Sequence, residues 1–339
     1  MTDGRSTGLL GSDRPLAEVY DVALLDLDGV VYVGEHPVPG APAALGEARE
    51  RGMRLAYVTN NASRTPLTVG AHLRTLGVDA KDDEVVTSAQ AAARLVAEQV
   101  PAGSAVLVVG GEGLVVALTE LGLRPVFSAD EEPAAVVQGF SPDVGWKQLA
   151  EGAYALARGL PWVASNLDLT IPTPRGRAPG NGTLVGVLAQ ASGRRPVAAG
   201  KPELPLHAEA VRRSGAQRPL VVGDRLDTDI EGAVRASTDS LLVLTGVTTP
   251  AELLRAAPHE RPTFVAEGLD GLLVPHPAPQ PVAAGWSCGG WTASVSDGAL
   301  QLDGDGDPMD GLRAACAASW SGPVPTDVAA LARLGFAAP

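Results

Sequence analysis

Two aspartates stand two residues apart in Asp26-Leu27-Asp28-Gly29, directly after the apolar run Val22–Leu25. Carboxylates delivered together at a strand end repel each other, which suits them to a divalent cation or to acid–base work. An Asp-Gly pair is also a common turn, so the motif needs company. Three further stretches supply it, each at the end of an apolar run. Thr59-Asn60-Asn61 offers a hydroxyl, two amides and backbone N–H groups; Gly200-Lys201-Pro202 puts a lysine at a helix start; the run from Gly223 through Asp224 to Asp229 adds carboxylates. Lys201 is one of three lysines, with Lys81 and Lys147, in a chain that otherwise writes its basic residues as arginine. A compact ammonium and a guanidinium fork are not interchangeable. Each stretch alone is an ordinary turn or surface group. Four in series at strand ends make a site.

The elements that must position these residues are short continuous apolar runs, the pattern of strands covered on both faces. Val22–Leu25, 55–58, 220–222 and 241–244 read as strands, the last ending in Thr245-Gly246, and 42–51, 67–76 and 204–213 as helices. Such alternation predicts an α/β fold with a mostly parallel, doubly wound sheet, whose ligands sit beyond the carboxyl ends of the strands. A second α/β block lies inside the first: strands at Ala105–Val109, 134–138 and Trp162–Ala164, helices near 114–121 and 146–158. The expected division is a core of 15–89 and 196–273, an inserted cap of 90–195, a proline-rich linker of 274–281 and an appendage of 282–339. The outer sheet should resume at 197–201, and the linker marks a boundary beyond which the core does not depend on the tail.

These residues resemble the haloacid dehalogenase-like hydrolase superfamily, specifically class IIA, the NagD-like phosphatases. All four superfamily motifs are present in order over roughly residues 20–273, and the cap falls between the second motif and the lysine motif, as in that class. Ala164-Ser-Asn-Leu-Asp168 and Pro179-Gly-Asn-Gly182 are similar to the class's cap signature. The ending resembles the short acetyltransferase-like appendage of some bacterial glycerol-3-phosphate phosphatases.

The resemblance implies a Mg²⁺-dependent phosphatase in which Asp26 attacks phosphorus and forms an aspartyl-phosphate. It implies Mg²⁺ held by Asp26, the Asp28 carbonyl and Asp224, with Asp229 orienting metal-bound water. Oxygen ligands suit Mg²⁺. Asp28 would act as acid and then base, a role helped by a pKa raised through burial under the cap. Thr59, Asn60, Asn61 and Lys201 would hold the phosphoryl group. Asn166, Asp168 and Thr170, with the 169–177 loop that follows, would set specificity, Thr170 and Thr173 toward a polyol or Arg175 and Arg177 toward a carboxylate. Glycerol 3-phosphate is the preferred small metabolite. Phosphoglycolate, pyridoxal phosphate and nucleotides stay open, as does a non-catalytic phosphometabolite sensor, although such a protein would be free to lose Asp26 or Asp28.

Composition sets the outer bounds. Lys plus Arg number 26 against 39 Asp plus Glu, a formal charge of −13, which disfavours nucleic acid or an anionic membrane as partner. The chain of 339 residues is 45% hydrophobic and 19% charged, enough for a real core, and its N-terminal stretch has no apolar signal segment. A cytoplasmic protein is expected, with a homodimer one open assembly state. Cys288 and Cys316 read as reduced core thiols, and the five histidines show no ligand spacing. Val109-Gly-Gly-Glu-Gly113 reads as strand–turn–helix punctuation rather than a phosphate loop. Asp303-Gly-Asp305-Gly-Asp307 lacks the Gly and Glu of a Ca²⁺ loop and reads as a solvated turn. Trp286, Trp291 and Trp320 read as a small core of a tail that is too short for a full acetyltransferase.

Overall fold

A computed structural model describes residues 8–173 and 175–336. Residues 1–7 of the N-terminal stretch and Pro174 of the 169–177 loop therefore lie outside the described residues. The fold is α/β with parallel sheets, in two compact units: Met1–Leu55 with Ala216–Pro339, and Ala56–Gly215.

In the first unit four parallel strands run in the order Phe264–Ala266, Asp239–Val243, Pro219–Gly223, Val22–Leu25. Val22 pairs with Pro219 and Leu25 with Val222, so the ends that precede Asp26 and Gly223 come out side by side. All four residues of Val22–Leu25 are buried, which is why the run has no polar alternation. The same unit holds the tail. Its antiparallel sheet has the order Gln280–Val282, Gly285–Cys288, Trp291–Ser296, Ala299–Gly304, followed by the helix Pro308–Trp320. Asp307 caps that helix, its carboxylate accepting from Met309 N–H at 2.8 Å, so the Asp-Gly run is a turn and a cap.

The 274–281 stretch does not run free. His276 is 2% exposed and pairs with Ser12, and Gln280–Val282 is already a strand of the tail sheet. One apolar cluster joins Leu242, Leu253, Leu254 and Val265 to Leu312, Cys316 and Leu331 of the tail. Tail and parallel sheet share a core.

The second unit contains a five-stranded parallel sheet in the order Val197–Ala198, Trp162–Ala164, Ala135–Gln138, Ala105–Val109, Arg124–Val126. This corrects one expectation. The segment after 196 does not resume the outer sheet but closes the inserted one, Val197 pairing with Val163 and Ala198 with Ala164. Two residues of strand were too few to show which sheet they join. Gly110 and Gly111 follow the strand Ala105–Val109, and a Cβ on Gly113 would lie 2.4 Å from the Ala62 carbonyl oxygen, so these glycines serve packing. The 169–177 loop is a hairpin, Thr170–Thr173 against Gly176–Pro179. Among the described residues no helix is long and apolar enough to cross a membrane.

Candidate active site

The first unit carries the carboxylates. Asp26 is placed by its own N–H, which donates to Val222 C=O at 2.8 Å and extends the strand pairing by one residue. Past Asp28 the chain turns at Gly29, whose φ of +86° is a left-handed conformation that favours glycine. A Cβ there would also sit 2.5 Å from Asp224 Oδ2. Asp224 follows the buried strand Pro219–Gly223 and is 0% exposed. Asp229 sits on a wide turn in which Ile230 N–H donates to the Arg225 carbonyl five residues back, at 3.2 Å. Such π-type turns are frequent at functional sites. Gly223 lets it approach, since a Cβ there would fall 2.2 Å from that of Asp229.

Carboxylate oxygens of Asp26, Asp224 and Asp229 all lie within 4.8 Å of one another. At that spacing and an effective dielectric near 20, each pair of charges repels by about 3–4 kcal/mol. Three hard oxygen donors so placed fit a Mg²⁺ ion. Asp229, expected to orient metal-bound water, has a carboxylate oxygen within the same 4.8 Å limit. The Asp28 side chain is not one of the three. Asp28 is exposed.

The loop 245–248 completes this half and had no assigned role from the sequence. Val247 N–H donates to Asp224 Oδ2 at 2.7 Å, Thr248 N–H to the Asp224 carbonyl at 3.1 Å, and Thr245 Oγ1 to the Gly29 carbonyl at 2.6 Å. The available signal was Thr245-Gly246 at another strand end.

The second unit carries the polar and cationic groups. Thr59 ends the strand Arg54–Thr59, is 5% exposed, and accepts through Oγ1 from Asn61 N–H at 3.1 Å. Asn61 Oδ1 accepts from Ser63 N–H at 2.8 Å. Lys201 Nζ donates to the Val58 carbonyl at 3.3 Å, which brings the ammonium to the end of that strand. The helix after it, Leu204–Ser214, is anchored by Glu209, 3% exposed among Arg94, Arg212 and Arg213. Burial pushes the Glu209 carboxyl up, and the hydrogen bonds from Arg212 and Arg213 outweigh it and hold it below the ordinary range.

Asn60 meets Lys201 and the cap signature directly. Its Oδ1 accepts from Lys201 N–H at 2.8 Å, and its Nδ2 lies 3.2 Å from the Lys201 carbonyl and 3.2 and 3.3 Å from the two Asp168 oxygens. Asn166, 5% exposed, donates to the Asn60 carbonyl at 2.7 Å, and Asn181 Nδ2 donates to the Asn166 carbonyl at 2.8 Å. Thr170, Arg175 and Arg177 are exposed, and Thr173 Oγ1 is spent on its own turn, donating to Gly176 C=O at 2.7 Å.

The haloacid dehalogenase-like hydrolase model matches residues 23–124 and a HAD-hydrolase-like model residues 198–272, while a GCN5-related N-acetyltransferase-like model matches 288–336. Over 301 residues the chain is 45% identical to D-glycerol 3-phosphate phosphatase of Mycobacterium tuberculosis, covering 88% of this chain and 82% of that protein. It is 39% identical over 232 residues to the acid sugar phosphatase of Staphylococcus aureus, covering 68% of this chain and 88% of the relative. The crystal structure of the M. tuberculosis glycerol phosphate phosphatase with magnesium superposes with a TM-score of 0.84 at 44% identity, over 92% of this chain and 94% of that one. With its aspartates at the ends of parallel strands and this likeness along most of its length, the chain belongs to the haloacid dehalogenase-like hydrolases.

Proposed function

We propose that the protein is a Mg²⁺-dependent phosphatase that hydrolyses glycerol 3-phosphate. The observation that carries the chemistry is the trio Asp26, Asp224 and Asp229, three carboxylate oxygens within 4.8 Å. The choice of a polyol phosphate is supported by the 45% identity to D-glycerol 3-phosphate phosphatase. Asp26, Asp224 and Asp229, with the Asp28 carbonyl, would hold Mg²⁺, which supplies charge neutralisation at the phosphoryl oxygens. Asp26 attacks phosphorus and forms an acyl phosphate. Asp28 gives its proton to the departing alkoxide and then takes one from the water that hydrolyses the acyl phosphate. Thr59, Asn61 and Lys201 hold the phosphoryl oxygens. Residues 15–89 and 199–273 form the catalytic core in this reading, and 90–195 with the strand Val197–Ala198 the cap. The enzyme acts in the cytoplasm on a small phosphorylated metabolite, as a monomer or a homodimer.

The test is kcat/KM for glycerol 3-phosphate, phosphoglycolate, pyridoxal phosphate and a nucleoside monophosphate at fixed Mg²⁺. Glycerol 3-phosphate is expected to lead. A tenfold advantage for another substrate, about 1.4 kcal/mol of transition-state discrimination, overturns the polyol reading. Absence of phosphate release from every ester overturns the enzyme reading.

A further inference from the structure

We infer that Asn60 is a positioning residue for Lys201, and that Asp168 sets the orientation in which it works. The inference rests on the reading of Lys201 as a phosphoryl-binding group, and departs from the expectation that the Asn60 amide itself holds phosphate.

A phosphoryl oxygen needs a donor, and the only side-chain donor of Asn60 is Nδ2, with two hydrogens. One faces the Lys201 carbonyl at 3.2 Å and the other the Asp168 carboxylate at 3.2 and 3.3 Å. Both are engaged. On the other side of the amide, Oδ1 accepts from Lys201 N–H at 2.8 Å. The carboxamide thus holds the N–H and the C=O of one residue at once, as a neighbouring strand would. Aspartate has no donor for the carbonyl, serine offers one atom for two partners, and glutamine is a methylene longer.

The clamp is itself held. The Asn60 carbonyl accepts from Asn166 Nδ2 at 2.7 Å and from Ser88 Oγ at 2.5 Å, and Ser88 is 0% exposed. A Cβ on Gly200 would lie 2.6 Å from both Asn60 Oδ1 and the Ser165 carbonyl, so glycine lets the Lys201 backbone come this close. A carboxamide can flip its oxygen and nitrogen, and here two partners decide which way it sits. The Lys201 N–H requires an acceptor, and the ionised Asp168, which can only accept, requires a donor. Asp168 in turn is fixed by its own N–H, which donates to Asn166 Oδ1 at 3.1 Å. The cap signature therefore keys the amide that presents the lysine.

The experiment compares Asn60→Asp, Asp168→Asn, the double variant and Lys201→Ala for kcat/KM from pH 5 to 8 at saturating Mg²⁺, with the thermal midpoint of each. Asn60→Asp keeps the acceptor for Lys201 N–H, loses both donors and sets one carboxylate against another. It is expected to lower kcat/KM by about 100-fold at pH 7.5, the scale of a 1 Å misplacement. Like-charge pairing raises the apparent pKa of such a pair, so the deficit relative to the native enzyme should shrink as pH falls. Adding Asp168→Asn swaps donor and acceptor across the pair, and should recover about tenfold and flatten that pH dependence. Asp168→Asn alone should lower kcat/KM about tenfold for glycerol 3-phosphate and p-nitrophenyl phosphate alike. It serves as the readout if Asn60→Asp does not fold. A loss confined to glycerol 3-phosphate overturns the inference, because Asp168 would then be reading substrate. So does a pH-independent deficit that the second change leaves untouched. If Lys201→Ala keeps native activity, the reading of the lysine fails; if it is inactive while Asn60→Asp is native-like, only the inference fails.

Discussion

Gly246 lies so close to Asp224 that a Cβ built on it would fall 2.0 Å from the aspartate's Oδ2, the oxygen that accepts the Val247 N–H at 2.7 Å. The absence of a side chain at 246 lets the main chain of the loop hold a fully buried carboxylate from behind. Gly246→Ala must therefore move either the loop or Asp224 away from Asp26 and Asp229. We expect Mg²⁺ affinity and kcat/KM to fall by about 100-fold together, read by calorimetric Mg²⁺ titration beside kinetics. Native Mg²⁺ affinity in the variant would show that the pose of Asp224 is not what makes the metal site.

Asp26→Asn should abolish turnover in a protein that still folds, because an amide is a poor nucleophile and a weaker ligand for a hard cation. More than a few per cent of residual activity in clean protein would sink the nucleophile assignment. Asp28→Asn should separate substrates instead. A good leaving group needs no proton, so p-nitrophenyl phosphate should lose less in the first step than glycerol 3-phosphate. Equal losses for the two would remove the acid role.

The candidate site residues Asp26, Thr59 and Asp224 were legible because each follows or ends a largely buried strand. Val22–Leu25 was readable residue for residue, and so was what it must deliver, Asp26 and Asp28. What the sequence hid depends on contacts between distant segments. Nothing local to Val197–Ala198 distinguishes pairing with Val163 from pairing with the outer sheet. The prolines of 274–281 suggested a free linker, yet His276 is buried because Arg313, thirty-seven residues on, approaches its ring. The contacts of Asn60 with Asp168 and Lys201 were hidden as well, because both partners are far away in sequence.

His276 makes the tail contact pH-sensitive. Its Nε2 donates to the Gly271 carbonyl at 2.7 Å, while Arg313 approaches Nδ1 at 3.4 Å and Phe264 packs against the ring. Burial, with Arg313 adding to it, holds the imidazole pKa below its ordinary value against the opposing pull of Gly271 and Asp310. Since the folded pKa is the depressed one, the stabilisation is complete above the unfolded pKa of about 6.5. It is lost as pH falls from there toward the folded value, where only the unfolded chain gains the proton. The thermal midpoint should decline between pH 7.5 and 5.5, and His276→Gln, which removes the titrating group, should flatten the decline. An unchanged slope in the variant would assign the pH dependence to other groups.

Removal of the tail is the sharper test of the shared core. Deleting residues 275–339 would take Leu312, Cys316 and Leu331 away from Leu242, Leu253, Leu254 and Val265, all seven of them fully buried. It would also remove Arg313, which donates to the Val265 carbonyl at 3.0 Å, and Trp320, whose Nε1 donates to the Leu253 carbonyl at 3.2 Å. Each large apolar side chain so uncovered forfeits about 1.5–3 kcal/mol of burial, and a domain has only about 5–15 kcal/mol of stability to lose. The truncated chain should therefore be poorly soluble or melt far below the full chain. The independence of the core that the proline run suggested is not expected. Leu312→Ala offers a gentler version, with a cost of about 2–5 kcal/mol. In that variant the folded fraction should keep its kcat, because the hydrogen bonds described for Asp26 and Asp224 run to residues within 222–248. A truncation with native solubility and thermal midpoint would mean that the shared cluster contributes nothing. A stable, folded Leu312→Ala protein with low kcat would place the tail in the chemistry.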